Sequence, residues 1–211
     1  MMKFYDCQPA PSPRRARMVI AEKGIAVETV AVDLRGGAHL APGFLALNPK
    51  ATVPTLVLED GTALTEALAI MQYLDEAHPE PNLGGRDAKE RAQILTAHVE
   101  MERDGFMAIA ECFRNSSEGF RDRALTGPAN VAQIEALAER GRARYRRFLE
   151  DMDRRLSDRP FVAGERFTLA DVTGFVAVEF GARAIKEAPP EGAAHLKRWR
   201  DTIAARPSAS V

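Results

Sequence analysis

The sequence predicts two joined domains: a small α/β domain with a mixed sheet over residues 1–78 and an all-helical domain over residues 88–211, connected by a linker at 79–87. Three observations carry this. Short apolar runs alternate with helical patterns through the first part of the chain and close on a hairpin, an order that builds one sheet covered by helices. The stretch HPEPNLGGRD, residues 78–87, is dense in proline, glycine and asparagine and follows the last periodic residue of a helix. Beyond it the apolar residues recur at helical spacing.

Lys3–Tyr5 reads as the first strand. The helix after it has ends that can be named: Ser12-Pro13 offers an N-cap serine before a proline at the first helical position, and Gly24 stands where a left-handed C-terminal glycine is wanted. Ala16, Val19 and Ile20 mark its buried face. Glu28–Val32 is the second strand, and a second helix follows. Thr55–Leu58, a turn at Asp60-Gly61 and Ala63-Leu64 form the hairpin, the Asp-Gly pair supplying the positive φ of a tight turn. Pro54 stands at the mouth of the first hairpin strand, where a residue that cannot donate to the ladder is tolerated. From Glu66 onward Ala67, Ile70, Met71 and Leu74 recur at helical spacing, so sheet gives way to helix.

In the second domain helices are predicted over 88–117, 131–157, 168–186 and 191–205, the last with the only tryptophan, Trp199. The stretch GERFTLADV opens the third of them with Thr168 as N-cap and Asp171 three residues on, a capping box with Asp in place of Glu. Phe167 and Val172 then occupy the hydrophobic-staple positions. A capped, strongly apolar helix belongs in the centre of the helical domain.

A net charge of −1 gives no general attraction to nucleic acid or to an anionic membrane. The segment RGRARYRR, 140–147, is flanked by Glu135, Glu139, Glu150 and Asp151 and reads as an exposed charged helix face. Arg14, Arg15 and Arg17 read likewise as solvated, with attraction of an anionic ligand as the alternative. No run approaches the about 20 apolar residues of a membrane span, and the N-terminus has no apolar core of signal-peptide length. Cys7 and Cys112 are too far apart for metal-ligand spacing. The expectation is a soluble protein of the reducing cytoplasm, without a metal.

Three segments in this order, FLALNPKATVPTL, LTEALAI and GERFTLADV, resemble the cytosolic glutathione S-transferase family, of the bacterial theta-, zeta- and nu-like kind. The resemblance covers nearly the whole chain. It implies a thioredoxin-like N-terminal domain, an all-α C-terminal domain and a homodimer. It also implies reduced glutathione as co-substrate and a small hydrophobic electrophile that takes its sulfur, held between Pro9–Ser12 and the 88–117 helix.

Residue by residue, the resemblance implies that Val53, before a cis Pro54, turns its N–H and C=O outward to pair with the cysteinyl unit of glutathione. Glu66 would take the γ-glutamyl ammonium, and N–H groups from Ala67 onward the neighbouring carboxylate. Ala67 replaces the serine usual there, so only its backbone N–H remains. His39 falls where relatives contact the glycyl carboxylate, and Thr52 replaces a longer polar residue. The usual thiolate-stabilising serine falls on Ala10. Ser12, two residues on, is either the catalytic hydroxyl or only a helix cap; Tyr5 and Cys7 are the alternatives in tyrosine- and cysteine-type members. Two other activities fit the same resemblance: glutathione-dependent cis–trans isomerisation of the maleylacetoacetate type, and a non-catalytic binding protein.

Overall fold

The computed structural model describes residues 1–211. The α/β domain contains β1 (Lys3–Asp6), α1 (Pro11–Lys23), β2 (Glu28–Ala31), α2 (Pro42–Leu47), β3 (Thr55–Val57), β4 (Ala63–Thr65) and α3 (Ala67–Ala77). Its sheet has the order β2-β1-β3-β4, with β1 and β2 parallel and the β1–β3 and β3–β4 pairs antiparallel. Phe4, Leu56 and Leu64 stand opposite one another across three strands. Phe4 and Leu56 are buried in one cluster with Met18 and Val19 of α1 and Ile70, Met71 and Leu74 of α3. Alternation turns Tyr5 the other way, edge-on to Phe44 of α2 with ring centroids 5.9 Å apart.

The helical domain contains α4 (Ala88–Glu100), α5 (Met107–Ser116), α6 (Glu135–Arg155), α7 (Leu169–Ala184) and α8 (Ala194–Ala204). The predicted 88–117 helix is one helical run, but its middle, Met101–Phe106, is wound as a π-helical turn. A side chain at Gly105 in that turn would stand 2.7 Å from the ring of Phe148 on α6, so glycine lets the two helices close there. Helix α6 begins four residues later than predicted, at Glu135. Val131 instead bridges to Arg123, and the Ile134 N–H goes to Asn115 Oδ1 at 2.9 Å.

Two helix ends show how local chemistry was satisfied. Gly24 is left-handed, φ 62°, as its place predicts. Helix α1 starts one residue before Ser12, and its cap residue, Ala10, has no capping side chain. The sequence offers two prolines, and the first, Pro11, takes the opening position. Its missing N–H needs no cap, and the Ala10 N–H is satisfied by Cys7 O at 2.8 Å. Ser12 is therefore not the helix cap.

Asp171 is buried at the head of α7. One carboxylate oxygen accepts the Thr168 N–H and hydroxyl, each at 2.9 Å, which ties the cap to the helix as the capping box predicts. The other accepts the Val162 N–H at 2.9 Å and the Trp199 indole N–H at 2.8 Å. Burial pushes this carboxyl up to about 6 against the donors, which favour its charge. Asp171 thus joins three segments of the helical domain.

Candidate functional site

The strand register collects the candidate residues. Tyr5 is opposite Thr55, and Thr55 is opposite Thr65. The loop after β1, the entry to β3 and the exit of β4 therefore open at one end of the sheet. Because β2 runs parallel to β1 with Asp6 beside Ala31, the segment after β2, which carries His39, leaves from the same end. Cys7–Ser12, Val53-Pro54, Glu66 and the His39 turn surround one mouth.

At β3 the Val53-Pro54 peptide bond is cis. Neither the N–H nor the C=O of Val53 takes part in a hydrogen bond within the protein. The approach to it is held from below by the buried Asn48, whose amide donates to Thr52 O at 2.8 Å, Thr52 Oγ1 at 3.0 Å and Thr55 Oγ1 at 3.2 Å. Thr52 is thereby occupied within the fold, while Val53 presents an unpaired peptide edge.

Glu66 precedes α3 with φ 68° and ψ 123°, a left-handed backbone that a residue with a Cβ rarely adopts. Such a conformation costs about 1–3 kcal/mol and is found where geometry serves a site. Its side chain is 62% exposed, with Oε1 3.7 Å from Lys50 Nζ. The first α3 amide to find a backbone partner is that of Ile70, which bonds Glu66 O at 3.0 Å. The N–H groups of Ala67, Leu68 and Ala69 are left pointing out of the helix start. A carboxylate side chain thus stands beside three free donors, a pairing that suits a zwitterionic α-amino acid group.

The start of α1 is poorer in donors. Pro11 and Pro13 have no N–H, which leaves that of Ser12. The Ser12 hydroxyl oxygen accepts from Arg15 Nη2 at 2.8 Å, so its own proton remains free to donate. Arg15 is 2% exposed, paired with Glu102 of the π-helical turn and stacked over Phe106 at 4.2 Å. The Glu66 carboxylate also favours its charge. Arg15 is not solvated, contrary to the expectation; it shares the buried face of Met18 and Val19, three and four residues on, a periodicity readable in the sequence. Arg14 and Arg17 are also engaged, with Ala209 O at 2.8 Å and Asp6 Oδ1 at 2.5 Å. Tyr5 packs on α2 rather than facing the mouth, and Cys7 is a half-buried free thiol.

His39 lies in a 3-10 turn, Ala38–Leu40, and is 5% exposed. Its Nε2 is 3.3 Å from Arg123 Nη2 of the helical domain, and its Nδ1 is buried without a partner. Burial, reinforced by Arg123, holds the imidazole below its ordinary pKa. Lys50 and Arg123, both exposed cations at this mouth, had no sequence signal that distinguished them from other surface charges.

A cavity of about 270 Å³ adjoins Pro9 and Pro11, enclosed by Arg14 and Arg17 of α1 and Glu179 and Arg183 of α7; none of Val53, Glu66 or His39 lines it. No group of three or more His, Cys, Asp or Glu side chains is placed to hold a metal ion, and no helix is long and apolar enough to cross a membrane.

Residues 10–77 match the family model of the glutathione S-transferase N-terminal domain, and residues 104–207 that of the glutathione S-transferase C-terminal domain. Glutathione S-transferase 2 of Saccharomyces cerevisiae is 32% identical over 98% of this chain and 87% of its own. Among solved structures, a glutathione S-transferase domain-containing protein of Marinobacter aquaeolei is 34% identical with a TM-score of 0.90, over 98% of both chains. Gtt2 of Saccharomyces cerevisiae is 30% identical with a TM-score of 0.90, over 99% of this chain and 98% of that one.

Proposed function

The chain belongs to the glutathione S-transferase family, and from that premise we propose that it binds reduced glutathione along Val53 and transfers its sulfur to a hydrophobic electrophile. The observation that carries the reading is the unpaired peptide edge of Val53 at the same sheet end as Glu66 and the free amides of α3. The cysteinyl unit pairs with Val53 as a short antiparallel strand. The γ-glutamyl ammonium meets Glu66, and its carboxylate meets the N–H groups of Ala67 and its neighbours. His39 is assigned to the glycyl end. Thr52 supports the edge from behind.

The chemistry requires a thiolate. A thiol of pKa about 8.5 is about 3% ionised at pH 7, and lowering that value by about two units takes roughly 2.7 kcal/mol of thiolate stabilisation. A single charge-assisted hydrogen bond contributes about 1.5–3 kcal/mol. The Ser12 hydroxyl, polarised by Arg15 and free to donate, is assigned this role, with the Ser12 N–H beside it. The thiol proton leaves to solvent and the thiolate attacks the electrophile. The new C–S bond forms as the leaving group departs with its electron pair.

Residues 1–78 and 88–211 are the two functional units in this reading, with 79–87 as their linker. The protein works as a cytoplasmic homodimer; Leu95 and Val99, exposed one turn apart on α4, support an apolar contact with a second copy. Analytical ultracentrifugation tests the dimer. Calorimetric titration of wild type and Glu66→Gln with glutathione tests the site, followed by chloronitrobenzene conjugation. The substitution is expected to weaken binding about 5- to 30-fold, the loss of about 1–2 kcal/mol for a charge-assisted contact at an exposed side chain. Equal dissociation constants would remove the glutathione-site assignment.

A further inference from the structure

We propose that the segment joining α5 to α6, residues 117–134, is a strap across the glycyl end of the glutathione site, and that Arg123 is the counter-ion of the glycyl carboxylate. The inference rests on the glutathione reading above and adds a binding residue from the helical domain.

The strap is anchored and positively charged. Arg114 at the end of α5 donates to the carbonyls of Arg123, Ala124 and Leu125 at 2.6, 3.2 and 2.5 Å, and stacks over Phe120 at 4.5 Å. Arg123 and Val131 bridge, which closes the segment on itself. Arg121 is matched within the strap by Glu118 at 3.8 Å. Arg123 instead reaches across the domain boundary to His39, 84 residues earlier in the chain. A second crossing lies nearby: Gly127 adopts φ 113°, and a side chain there would come within 3.5 Å of Lys50 O. The strap therefore meets the α/β domain at His39 and passes close to Lys50.

These contacts fall where the free end of the ligand must go. A tripeptide paired with Val53 is about 10 Å long at about 3.3 Å per residue. With its γ-glutamyl end held at Glu66, its glycyl end extends past Val53 towards the turn that carries His39. The partner Arg123 has there is a poor one. An arginine only donates, so His39 Nε2 accepts and the ring proton sits on Nδ1, which is buried without a partner. A neutral imidazole at 3.3 Å gives a guanidinium one weak bond, whereas a carboxylate offers a charge-assisted, two-pronged one. The ligand carboxylate displaces the His39 contact and ties the strap down.

γ-Glutamylcysteine, which lacks the glycine, separates contacts at the glycyl end from those in the rest of the site, and substitution of Arg123 separates its role from that of His39. Calorimetric titration of wild type and Arg123→Gln with both thiols is the test. Wild type is expected to bind glutathione at least fivefold more tightly than γ-glutamylcysteine. Arg123→Gln should shrink that difference by weakening glutathione alone, leaving only what His39 contributes. As a second reading on the unmutated protein, glutathione should slow amide hydrogen exchange in residues 117–131 and γ-glutamylcysteine should not. Equal weakening of both ligands by the substitution, no weakening, or identical exchange with the two thiols overturns the proposal while leaving the glutathione site intact. A wild type that binds neither thiol overturns the glutathione reading itself, and the strap proposal with it.

Discussion

Arg15 of α1 and Glu102 of the π-helical turn form an ion pair between the two domains, 87 residues apart in the chain, with the arginine side chain almost wholly enclosed. The pair places a permanent positive charge directly behind the Ser12 hydroxyl. It also gives the π-helical turn a structural role, because Glu102 and Phe106 on that turn approach the same guanidinium.

Glu102→Gln is the sharper way to break the pair. Glu102 is partly exposed and can be rehydrated, but Arg15 cannot lose its proton and would be left as an unmatched buried charge. The expected cost is about 3 kcal/mol, in line with breaking buried pairs. A shift in the denaturant midpoint measures it. A change below about 0.5 kcal/mol would mean that Phe106 and Ser12 alone satisfy Arg15.

Ser12→Ala removes no helix cap, but it leaves Arg15 Nη2 without its acceptor, so stability should fall by about 1–3 kcal/mol. The thiol of bound glutathione should become less acidic by about one pKa unit, equivalent to about 1.4 kcal/mol. Thiolate absorbance against pH reads this directly. An unmoved titration would transfer the role to the Ser12 N–H.

Asp171→Ala removes more than a cap. Losing the N-terminal interaction alone costs about 0.5–2 kcal/mol, but the Val162 amide and the Trp199 indole would also be left buried and unpaired. At about 1–3 kcal/mol for each orphaned donor, the total should be at least about 2.5 kcal/mol. Equilibrium unfolding by urea, followed by Trp199 fluorescence, checks the figure; a loss under about 1 kcal/mol would show that the helix head rearranges to find other acceptors.

His98 on α4 sets an acid limit. Burial, helped by nearby Arg15, pushes its imidazole down to about 3, and it is held by Thr173 Oγ1 at 2.7 Å. The unfolded chain takes up a proton near pH 6.5 that the folded chain refuses, so this contribution to stability is present above about pH 6.5 and is lost as pH falls below it. In His98→Gln the slope of stability against pH between about 6 and about 4 should be shallower by up to about 1.4 kcal/mol per unit. Parallel slopes would mean that the buried ring is already protonated.

Features whose physics is local were legible in the sequence. Gly24 ends α1 because only glycine enters the left-handed region without cost, and Asp60-Gly61 turns the hairpin for the same reason. Pro54 marked the strand mouth, Glu66 the helix start, and Thr168 with Asp171 the head of α7; each depends on neighbours within a few residues. Even locally the sequence left one choice open, because two prolines compete to begin α1 and only the turn closed by Cys7 and Ala10 selects the first. Tertiary structure alone decided that Arg15 pairs with Glu102, that His39 faces Arg123, and that Asp171 serves Val162 and Trp199 as well as its own helix. Those partners lie from 9 residues away, for Val162 and Asp171, to 87, for Arg15 and Glu102. The first two pairs depend on how the α/β and helical domains pack and the last on how segments of the helical domain pack, whereas periodicity and capping signals report only the few residues on either side of themselves.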